Sequence, residues 1–404
     1  MMAAGQAAFA GARVLLLEKK ERVGRKIAIS GKGRCNITNA AELETIIKNF
    51  PGNGRFLFGP LSSFSNQDLI AFLRSRGVET KVERGQRVFP VSDDAEEIVK
   101  ACNAFLRQTG VETKCGCQVD KILTGNSQVV GVRSVQGDVF KSRAVVIATG
   151  GLSYPGTGST GDGYRWAEEL GHKVVKLRPS LVPLVTQEEW VKELQGLTLR
   201  NVRVTAWRGQ KALETQFGEM MFAHFGLTGP IILSLSRVVV DELASSGRPV
   251  RLSLDLKPAL SPEQLDARLQ RDFAAKVRKQ FKNSLDELLP KSLIPVVVRL
   301  SGIQPEKEVH QITREERMRL GTLLKNLPLT VQRSLPVSAA IVTAGGVTVK
   351  EINPKTMESK LIKGLYFAGE VIDIDAYTGG YNLQAAFSTG YAAGRASAQG
   401  SILV

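Results

Sequence analysis

Short, nearly continuous apolar runs recur along the chain and predict strands that are buried on both faces. Such runs occupy residues 14–17, 144–148 and 365–368, and each is closely followed by an acid or by glycines. Runs of this length with few polar positions are typical of parallel strands in α/β domains. Because the runs come from both ends of the chain, the pattern predicts an α/β domain that is split in sequence.

Two helices are indicated by periodic apolar positions and by capping residues. The first starts at Ser65, with Asp68 three residues later, and the second starts near Asp93 and runs to Gly110. A side-chain cap followed three residues later by an acid satisfies the unpaired N–H groups of a first helical turn. After the second helix, alternating runs within residues 119–132 predict a small antiparallel meander.

From residue 184 onward, apolar and polar residues alternate in short runs. The runs at 202–207 and 250–255 predict antiparallel strands of a barrel or a sandwich. Ser261 and Pro262 supply a cap and a first-turn proline, and they open a charged, helical segment that reaches Leu324. The predicted α/β domain therefore comprises 1–183 and 341–404, and an inserted domain comprises 184–340, with a barrel part at 184–256 and 326–340 and a helical part at 257–325.

Length and composition place the chain among ordinary globular proteins. Its 404 residues are 43% hydrophobic and 23% charged, and this length predicts two or three domains. No run reaches the roughly 18 apolar residues that a membrane-spanning helix needs. The apolar first residues have no basic segment before them, so they do not predict a signal peptide, and we expect a cytoplasmic protein.

The balance of charged residues bears on the binding partner. Lys plus Arg number 54 and Asp plus Glu number 39, which gives a net charge of +15. This excess fits either a nucleic-acid partner or a site that attracts an anionic cofactor and substrate. It is spread along the chain without a long basic block, so nucleic acid is the less favoured of the two.

Cysteine and histidine usage excludes several kinds of site. Four cysteines without a CxxC pair predict neither a disulfide scaffold nor a redox dithiol, and three scattered histidines predict no metal site. His172 follows Gly171 at a predicted helix end, where a structural role is favoured. His224 is a candidate acid or base at neutral pH, although a core or capping histidine would look the same.

The C-terminal stretch carries the strongest ligand signal. The run at 365–368 leads to Gly369, three acids and the pair Gly379 and Gly380, and an Ala-rich helix follows. Unpaired N–H groups and the positive end of the dipole at such a helix start suit an electron-rich ligand. The alternative is a tight turn without a ligand.

A second glycine-rich stretch, residues 24–40, contains four basic residues among its glycines. Exposed N–H groups and cationic side chains suit a pyrophosphate, although a basic surface loop is the alternative. Glu18 ends the first apolar run, where dinucleotide-binding folds place a carboxylate that holds the adenosine ribose.

Several strings together resemble those of the BaiN-like, aminoacetone-oxidase-type family of FAD-dependent oxidoreductases. The resemblance extends over nearly the whole chain and rests on the C-terminal stretch and on these strings: GRKIAISGKGRCNITNA (24–40), ATGG (148–151), GLSYPGTGSTGDGY (151–164), GEMMFAHFGLTGP (218–230) and TAGGV (343–347). Position 223 is alanine where this family usually has threonine.

The resemblance implies a Rossmann-like, glutathione-reductase-like FAD domain with an inserted barrel and a helical flap. It implies hydride transfer between a small substrate or NAD(P)H and non-covalently bound FAD, with NAD(P)H as a transient electron donor. His224 is the candidate catalytic residue. The implied cofactor-binding residues are Glu18, Lys19, Gly24, Arg25, Lys26, Ser30, Gly31, Gly33, Arg34, Cys35, Asn36, Thr38, Ala148, Thr149, Gly150, Gly151, Gly369, Glu370, Asp373, Gly379, Gly380, Tyr381, Asn382 and Leu383.

The first strand and the GxGxxG fingerprint of this fold are expected before residue 1 and are absent from the sequence. The chain is thus expected to begin inside the first helix of the fold. Either an N-terminal segment has been lost, or the sheet lacks its central strand and binds FAD poorly.

Two other functional classes stay open at this point. One is a non-catalytic or truncated flavin-binding protein, and the other is a basic nucleic-acid-binding protein. The sequence indicates neither the substrate nor the oligomeric state.

Overall fold

A computed structural model describes residues 1–402 and contains twelve α-helices and eighteen strands in this range. The helices are α1 (Met2–Phe9), α2 (Arg25–Ile29), α3 (Leu43–Lys48), α4 (Phe58–Ser63), α5 (Asn66–Arg74), α6 (Ala95–Gln108), α7 (Asp162–Glu169), α8 (Pro230–Ser246), α9 (Pro262–Ala274), α10 (Ile294–Ser301), α11 (Arg314–Lys325) and α12 (Tyr381–Ile402). The strands are β1 (Leu15–Glu18), β2 (Thr38–Asn39), β3 (Thr80–Glu83), β4 (Arg87–Pro90), β5 (Glu112–Cys115), β6 (Val119–Gly125), β7 (Gln128–Ser134), β8 (Val139–Lys141), β9 (Val145–Ile147), β10 (Val174–Ser180), β11 (Leu184–Thr186), β12 (Thr198–Arg208), β13 (Lys211–Ala223), β14 (Gly226–Thr228), β15 (Val250–Asp255), β16 (Leu327–Ser334), β17 (Val342–Val347) and β18 (Leu365–Phe367).

The chain forms two compact units. Unit 1 consists of Met1–Pro179 and Val337–Val404, and unit 2 consists of Ser180–Pro336. Unit 2 is thus inserted in sequence between the two parts of unit 1. No helix within residues 1–402 is long and apolar enough to cross a membrane.

Parallel strand pairs form the α/β part of unit 1. β1 pairs with β5, and β9 pairs with β18. Within residues 1–402, no strand hydrogen-bonds to both pairs. The parallel arrangement agrees with the sequence pattern, but burial is lower than predicted, because 15–17 and 145–146 are only half-buried. A strand with one parallel neighbour leaves its other edge without a neighbour, which accounts for the exposure.

Of the two helices predicted in unit 1, α5 begins at its predicted capping residue, and α6 begins one residue later than predicted. Ser65 accepts a hydrogen bond from the Asp68 N–H and completes the predicted capping box of α5. α6 is capped by Asp94 rather than by Asp93, which has a φ of 57° and pairs with Arg34 and Lys81. The predicted meander is present as the antiparallel sheet β6-β7-β8.

Unit 2 contains a closed barrel with the strand order β11-β14-β13-β12-β15-β16. Its longest hairpin joins β12 to β13, and the inward residues Val204, Ala206 and Phe222 are fully buried. The helix α8 contributes Ile232, Leu235 and other residues to the same apolar core. The alternative of a sandwich is excluded for this unit, since the strands close on themselves.

Candidate functional site

The carboxyl ends of the parallel strands of unit 1 lie close together. Lys19, directly after β1, reaches the loop that precedes α7, where its Nζ is 2.6 Å from Asp162 Oδ2 and also contacts the Thr160 hydroxyl. Glu18 Oε1 accepts the Lys20 N–H at 2.8 Å. Its other oxygen, Oε2, has no hydrogen-bond partner within residues 1–402. Glu18 is half-buried, so this oxygen can accept a ligand hydroxyl.

The segment after β9 is open at the same strand ends. Ala148 is exposed, and Thr149 and Gly150 are half-buried. The Thr149 hydroxyl is buried without a hydrogen-bond partner in the described part of the chain. Gly151 lies so close to Thr343 and Glu370 that a Cβ at this position would meet both side chains within 3 Å. The glycine therefore lets three segments approach one another.

Glu370 is the centre of a hydrogen-bonded network in unit 1. Its Oε1 accepts the Thr343 N–H at 2.8 Å and the Ser153 hydroxyl at 3.0 Å, and its Oε2 forms an ion pair with Lys26. Lys26 Nζ also donates to Ser153 Oγ at 2.8 Å. The network joins the segments after β1, β9 and β18 to β17, and it fixes the predicted cofactor residues Lys26 and Glu370 relative to each other.

Sequence reasoning did not assign Ser153 or Thr343 to the site. Thr343 Oγ1 accepts the backbone N–H groups of Leu152 and Ser153 at 2.8 and 3.2 Å, so it holds the segment after Gly151 in place. Both residues lie inside strings that carry the family resemblance. That position was the available signal, but it does not distinguish a positioning residue from a ligand.

The amino end of α12 is fixed against β2. Gly380 has a φ of 92°, and a Cβ there would overlap the carbonyl oxygen of Thr38. Asn39 Nδ2 donates to the Gly379 carbonyl at 3.0 Å, and the Thr38 hydroxyl donates to the fully buried Gln384 amide oxygen at 2.6 Å. A helix start held in this way presents a fixed set of N–H groups.

Residues of the first turn of α12 differ in what they contact. Tyr381 is buried, whereas Asn382 and Leu383 are half-buried. The Asn382 amide accepts the Ala376 N–H at 2.9 Å and donates to the Ala376 carbonyl at 3.1 Å. Its side chain thus shapes the loop before the helix, and binding of FAD by the backbone N–H groups of this turn stays a prediction.

Asp373 lies in the loop between β18 and α12 and is held by a residue from a distant segment. The Asn53 amide donates to Asp373 Oδ2 at 2.9 Å and to its carbonyl oxygen at 2.7 Å. The Asp373 N–H donates to the carbonyl oxygen of Val347, the last residue of the TAGGV string, at 3.0 Å. Asn53 was not predicted, because no local pattern links it to residue 373.

Three of the four basic residues of the 24–40 stretch are paired with a carboxylate, whereas Lys32 is exposed and forms no ion pair within residues 1–402. Arg25 pairs with Glu21, and Lys26 pairs with Glu370. Arg34 pairs with Glu83 and Asp93 and lies over the Phe89 ring. The hydrogen bond from Arg34 lowers the pKa of Glu83 below its ordinary value. A pyrophosphate would therefore compete with protein carboxylates for these cations.

The remaining candidates in this stretch hold the loop together. Gly24, Gly31 and Gly33 have positive φ angles. Ser30 donates to the Ile27 carbonyl at 2.7 Å, and Asn36 Nδ2 donates to the Thr38 and Val88 carbonyls, each at 3.0 Å. Cys35 is fully buried, and desolvation raises the pKa of its thiol to about 12. The thiol is therefore protonated at neutral pH and is no nucleophile.

The predicted catalytic histidine lies in unit 2, whereas the predicted cofactor residues lie in unit 1. His224 is exposed on the turn between β13 and β14, and its ring packs edge-to-face on Phe225 at a centroid distance of 4.9 Å. Its catalytic role stays a prediction, as do the contacts of the other residues with FAD.

Residues of unit 1 fit a dinucleotide cofactor. Glu18 offers its carboxylate oxygen Oε2, Gly380 lets the start of α12 lie directly against β2, and the segment after β9 is open. Ligands of open α/β sheets bind at this edge, outside the carboxyl ends of the strands.

Comparison with known proteins supports this assignment. The family described as HI0933-like protein Rossmann domain matches residues 1–396. The chain is 31% identical to a 3-dehydro-bile acid delta(4,6)-reductase of Clostridium scindens, over 96% of this chain and 93% of that protein. It is 30% identical to a ribosomal RNA dihydrouridine synthase of Haemophilus influenzae, over 97% of this chain and 94% of that one, and 31% identical to the Escherichia coli protein of that name over the same shares.

Solved structures show the same fold at low sequence identity. The 3-ketosteroid delta1-dehydrogenase of Sterolibacterium denitrificans superimposes with a TM-score of 0.53 at 14% identity, covering 98% of this chain and 97% of that one. A flavocytochrome c3 fumarate reductase gives 0.52 at 19% identity, covering 99% and 76%. The predicted Rossmann-like fold with an inserted barrel is confirmed, and so is the predicted cofactor, FAD. The chain belongs to the HI0933-like Rossmann family, the BaiN-like FAD-dependent oxidoreductases that its motifs indicated.

Proposed function

We propose that this FAD-dependent oxidoreductase is a reductase that saturates a carbon–carbon double bond conjugated to a carbonyl group. The observation that carries the proposal is the similarity to the curated relatives over 93 to 94% of their length. A delta(4,6)-reductase of a 3-dehydro bile acid and a dihydrouridine synthase both add two hydrogens to such a bond in a ring. The shared chemistry is thus narrower than oxidoreduction in general.

Bound FAD supplies hydride-transfer chemistry, and the protein supplies binding, orientation and electrostatics. In this proposal Glu18 accepts a ribose hydroxyl and Asp373 holds the ribityl chain. The N–H groups at the start of α12 favour negative charge beside them by about 0.3–2 kcal/mol. The Lys26–Glu370 pair keeps the segments after β1 and β18 at a fixed separation.

Two further roles belong to the proposal. NADH or NADPH donates electrons transiently, since the sequence carries no second glycine fingerprint for a resident nicotinamide. His224 supplies the proton that accompanies hydride addition, because an imidazole exchanges protons near neutral pH. A histidine with this role must reach the substrate, and its exposure leaves the ring accessible.

A uracil base in RNA is the substrate that the charge of the chain favours. A net charge of +15 attracts a polyanion, whereas it gives no advantage for a largely apolar ring ketone. The sequence alone made nucleic acid the less favoured partner. Two of the three relatives named above act on ribosomal RNA by their names, which reverses that order.

The test begins with the absorption spectrum of the purified protein before and after FAD is added. We expect flavin bands that bleach with NADH or NADPH in the absence of oxygen. The reduced protein is then offered ribosomal RNA and, separately, a 3-oxo-4-ene bile acid, and the products are analysed by mass spectrometry. A mass gain of two hydrogens in either substrate supports the proposal.

Two results would contradict it. Bleaching without hydrogen addition to either substrate would point to another acceptor, such as O₂. Failure to bind FAD would leave a protein of this fold without the proposed activity. A His224→Gln variant that turns over as fast as the parent would remove the histidine from the reaction without affecting the rest.

A further inference from the structure

The outer face of the unit 2 barrel carries an exposed phenylalanine beside an arginine. Arg203 of β12 is the cross-strand partner of Phe217 of β13, and partners of this kind share one face of a sheet. The next residue of β12, Val204, points inward and is fully buried. Phe217 is 54% exposed, although the barrel core lies on the other face of the same strand. A single exposed aromatic ring is ordinary on a protein surface, so its meaning depends on the residues that lie beside it.

A second aromatic ring lies on the same face of β12. Trp207 follows Arg203 by four residues, which corresponds to about 13 Å along a strand. Its indole N–H donates to Ser253 Oγ at 2.8 Å, and this bond fixes the ring against β15. Arg251, the cross-strand partner of Trp207, places its guanidinium 5.2 Å from the ring centroid. Two aromatic–arginine pairs therefore follow one another along the hairpin.

Two cations lie on this face, Arg203 and Arg251. Arg203 is exposed and forms no ion pair within residues 1–402. Glu219, two residues after Phe217 on β13, lies 3.9 Å from Arg200. Within residues 1–402, the guanidinium of Arg251 donates to the Gly209 carbonyl at 3.2 Å and to no carboxylate. Asp255, the cross-strand partner of Arg203 on β15, is buried and paired with Lys325 Nζ at 2.7 Å. The carboxylate that lies opposite Arg203 on β15 is therefore already neutralised by Lys325.

We propose that this surface, the Phe217 face, binds single-stranded RNA; it consists of Arg203, Trp207, Phe217 and Arg251. Bases stack on Phe217 and on the exposed part of Trp207, and the cations contact the phosphates. Stacking needs unpaired bases, because the rings of a duplex are already stacked and its deep major groove excludes side chains. The inference extends the proposed function, on which it rests for the choice of RNA, by assigning the surface that holds the strand.

The experiment measures binding of a fluorescent oligouridylate to the full chain by anisotropy at several salt concentrations. Phe217→Ala should weaken binding about 5- to 100-fold, the range for loss of one stacked base. Arg203→Ala should weaken binding and lower the slope of log affinity against log salt by about one, since one phosphate contact is lost. Both side chains are exposed, so neither change disturbs the core.

Matched controls come from the same chain. Phe58→Ala removes a phenylalanine of unit 1 that is 58% exposed, and Arg271→Ala removes an exposed arginine of α9 that has no ion pair within residues 1–402. Neither control should change affinity. Equal affinity of the Phe217 and Arg203 variants and the parent would overturn the proposal, as would failure of the parent to bind at low salt. Loss confined to Arg203→Ala would overturn the stacking role.

This measurement needs neither bound flavin nor turnover. A chain that binds the oligouridylate through the Phe217 face but adds no hydrogen to uracil would contradict the proposed reaction alone. A chain that reduces RNA with unchanged kinetics after Phe217→Ala would contradict the binding surface alone.

Discussion

Glu370 shows how one carboxylate can hold together segments that are far apart in sequence. It accepts from Thr343 and Ser153 and pairs with Lys26, which precedes it by 344 positions. Its side chain is 16% exposed and that of Lys26 is 31% exposed, so the pair is screened less than one on the surface. A local sequence pattern indicates that residue 370 is important, but it cannot indicate these partners.

Replacing Glu370 by Gln should destabilise the chain and weaken FAD binding. The amide keeps an acceptor but loses the charge opposite Lys26, which should cost about 1–3 kcal/mol. Urea unfolding gives the loss of stability, and titration of FAD into the variant gives the loss of affinity. Glu79→Gln is the matched control, because Glu79 is 66% exposed and lies 3.7 Å from Arg74. Equal losses of stability and FAD affinity in both variants would show that the Glu370 network contributes no more than a surface ion pair.

His172 is a buried histidine whose protonation should oppose folding. It is 3% exposed, with Nδ1 3.0 Å from Glu351 Oε2 and Nε2 2.8 Å from Ser359 Oγ. Burial lowers the pKa of the imidazole below its ordinary value, although Glu351 acts in the opposite direction. The structural role that the sequence favoured for His172 is consistent with these two side-chain hydrogen bonds.

The lowered pKa gives a definite sign to the pH dependence. Above the ordinary histidine pKa of about 6.5, the ring is neutral in both states and costs nothing. As the pH falls below that value, the unfolded chain binds the proton first, so stability should decline until the folded pKa is passed. Urea unfolding at pH 7.5 and at lower pH should show a smaller decline in His172→Gln than in the parent. The control His310→Gln, at a 47% exposed histidine, should decline like the parent.

At the scale of elements, local capping residues predicted where helices start, whereas residue composition did not identify every helix. Ser65 forms the expected capping box and Ser261 the expected cap, since each signal is contained in four residues. The helix α8 was missed, because its seventeen residues are rich in Ile, Val and Leu and resemble a strand. Pro230 at its first position and Gly247 at its end were the available signals.

The closed barrel and the two parallel pairs could be predicted only as types of element. Strand order in the barrel depends on contacts between β11 and β16, which are separated by nearly the whole of unit 2. The partial burial of β1 likewise depends on which strands lie beside it, and a run of leucines carries no information about that. The family resemblance implied a barrel, but neither the resemblance nor the periodicity gave the strand order.

The attachment of α12 to β2 gives a prediction at this scale. Gly380→Ala should displace the start of α12, because a Cβ at this φ of 92° overlaps the Thr38 carbonyl. Gly11→Ala is a close control, since Gly11 has a φ of 93° but no heavy atom within 4 Å of the added Cβ. Both variants incur about 1–2 kcal/mol of backbone strain. Only Gly380→Ala should lose further stability and FAD affinity, as measured by urea unfolding and by flavin titration.

If Gly11→Ala weakened FAD binding as much as Gly380→Ala, the effect would be one of general stability. The close contact of Gly380 with β2 would then have no specific role in FAD binding. If Gly380→Ala bound FAD like the parent, the start of α12 would not contribute to the site.

In the molecule as a whole, the predicted cofactor-binding residues lie in unit 1 and the barrel lies in unit 2. Residues 18–38, 148–151 and 369–383 all lie in unit 1, and only His224 lies in unit 2. A ligand that binds only the native state stabilises it by mass action, by about 2.7 kcal/mol at a hundredfold excess over its Kd. FAD should therefore stabilise unit 1 directly, and unit 2 only as far as the two units unfold together.

The three tryptophans allow this to be measured. Trp166 lies in unit 1, and Trp190 and Trp207 lie in unit 2. A variant with Phe at 190 and 207 reports on unit 1, and Trp166→Phe reports on unit 2. With FAD in excess, we expect the denaturation midpoint of the first variant to rise by the larger amount. Equal rises would mean that the units unfold as one cooperative body, and a rise confined to unit 2 would place the cofactor outside the residues assigned to it, because mass action stabilises the unit that holds the ligand.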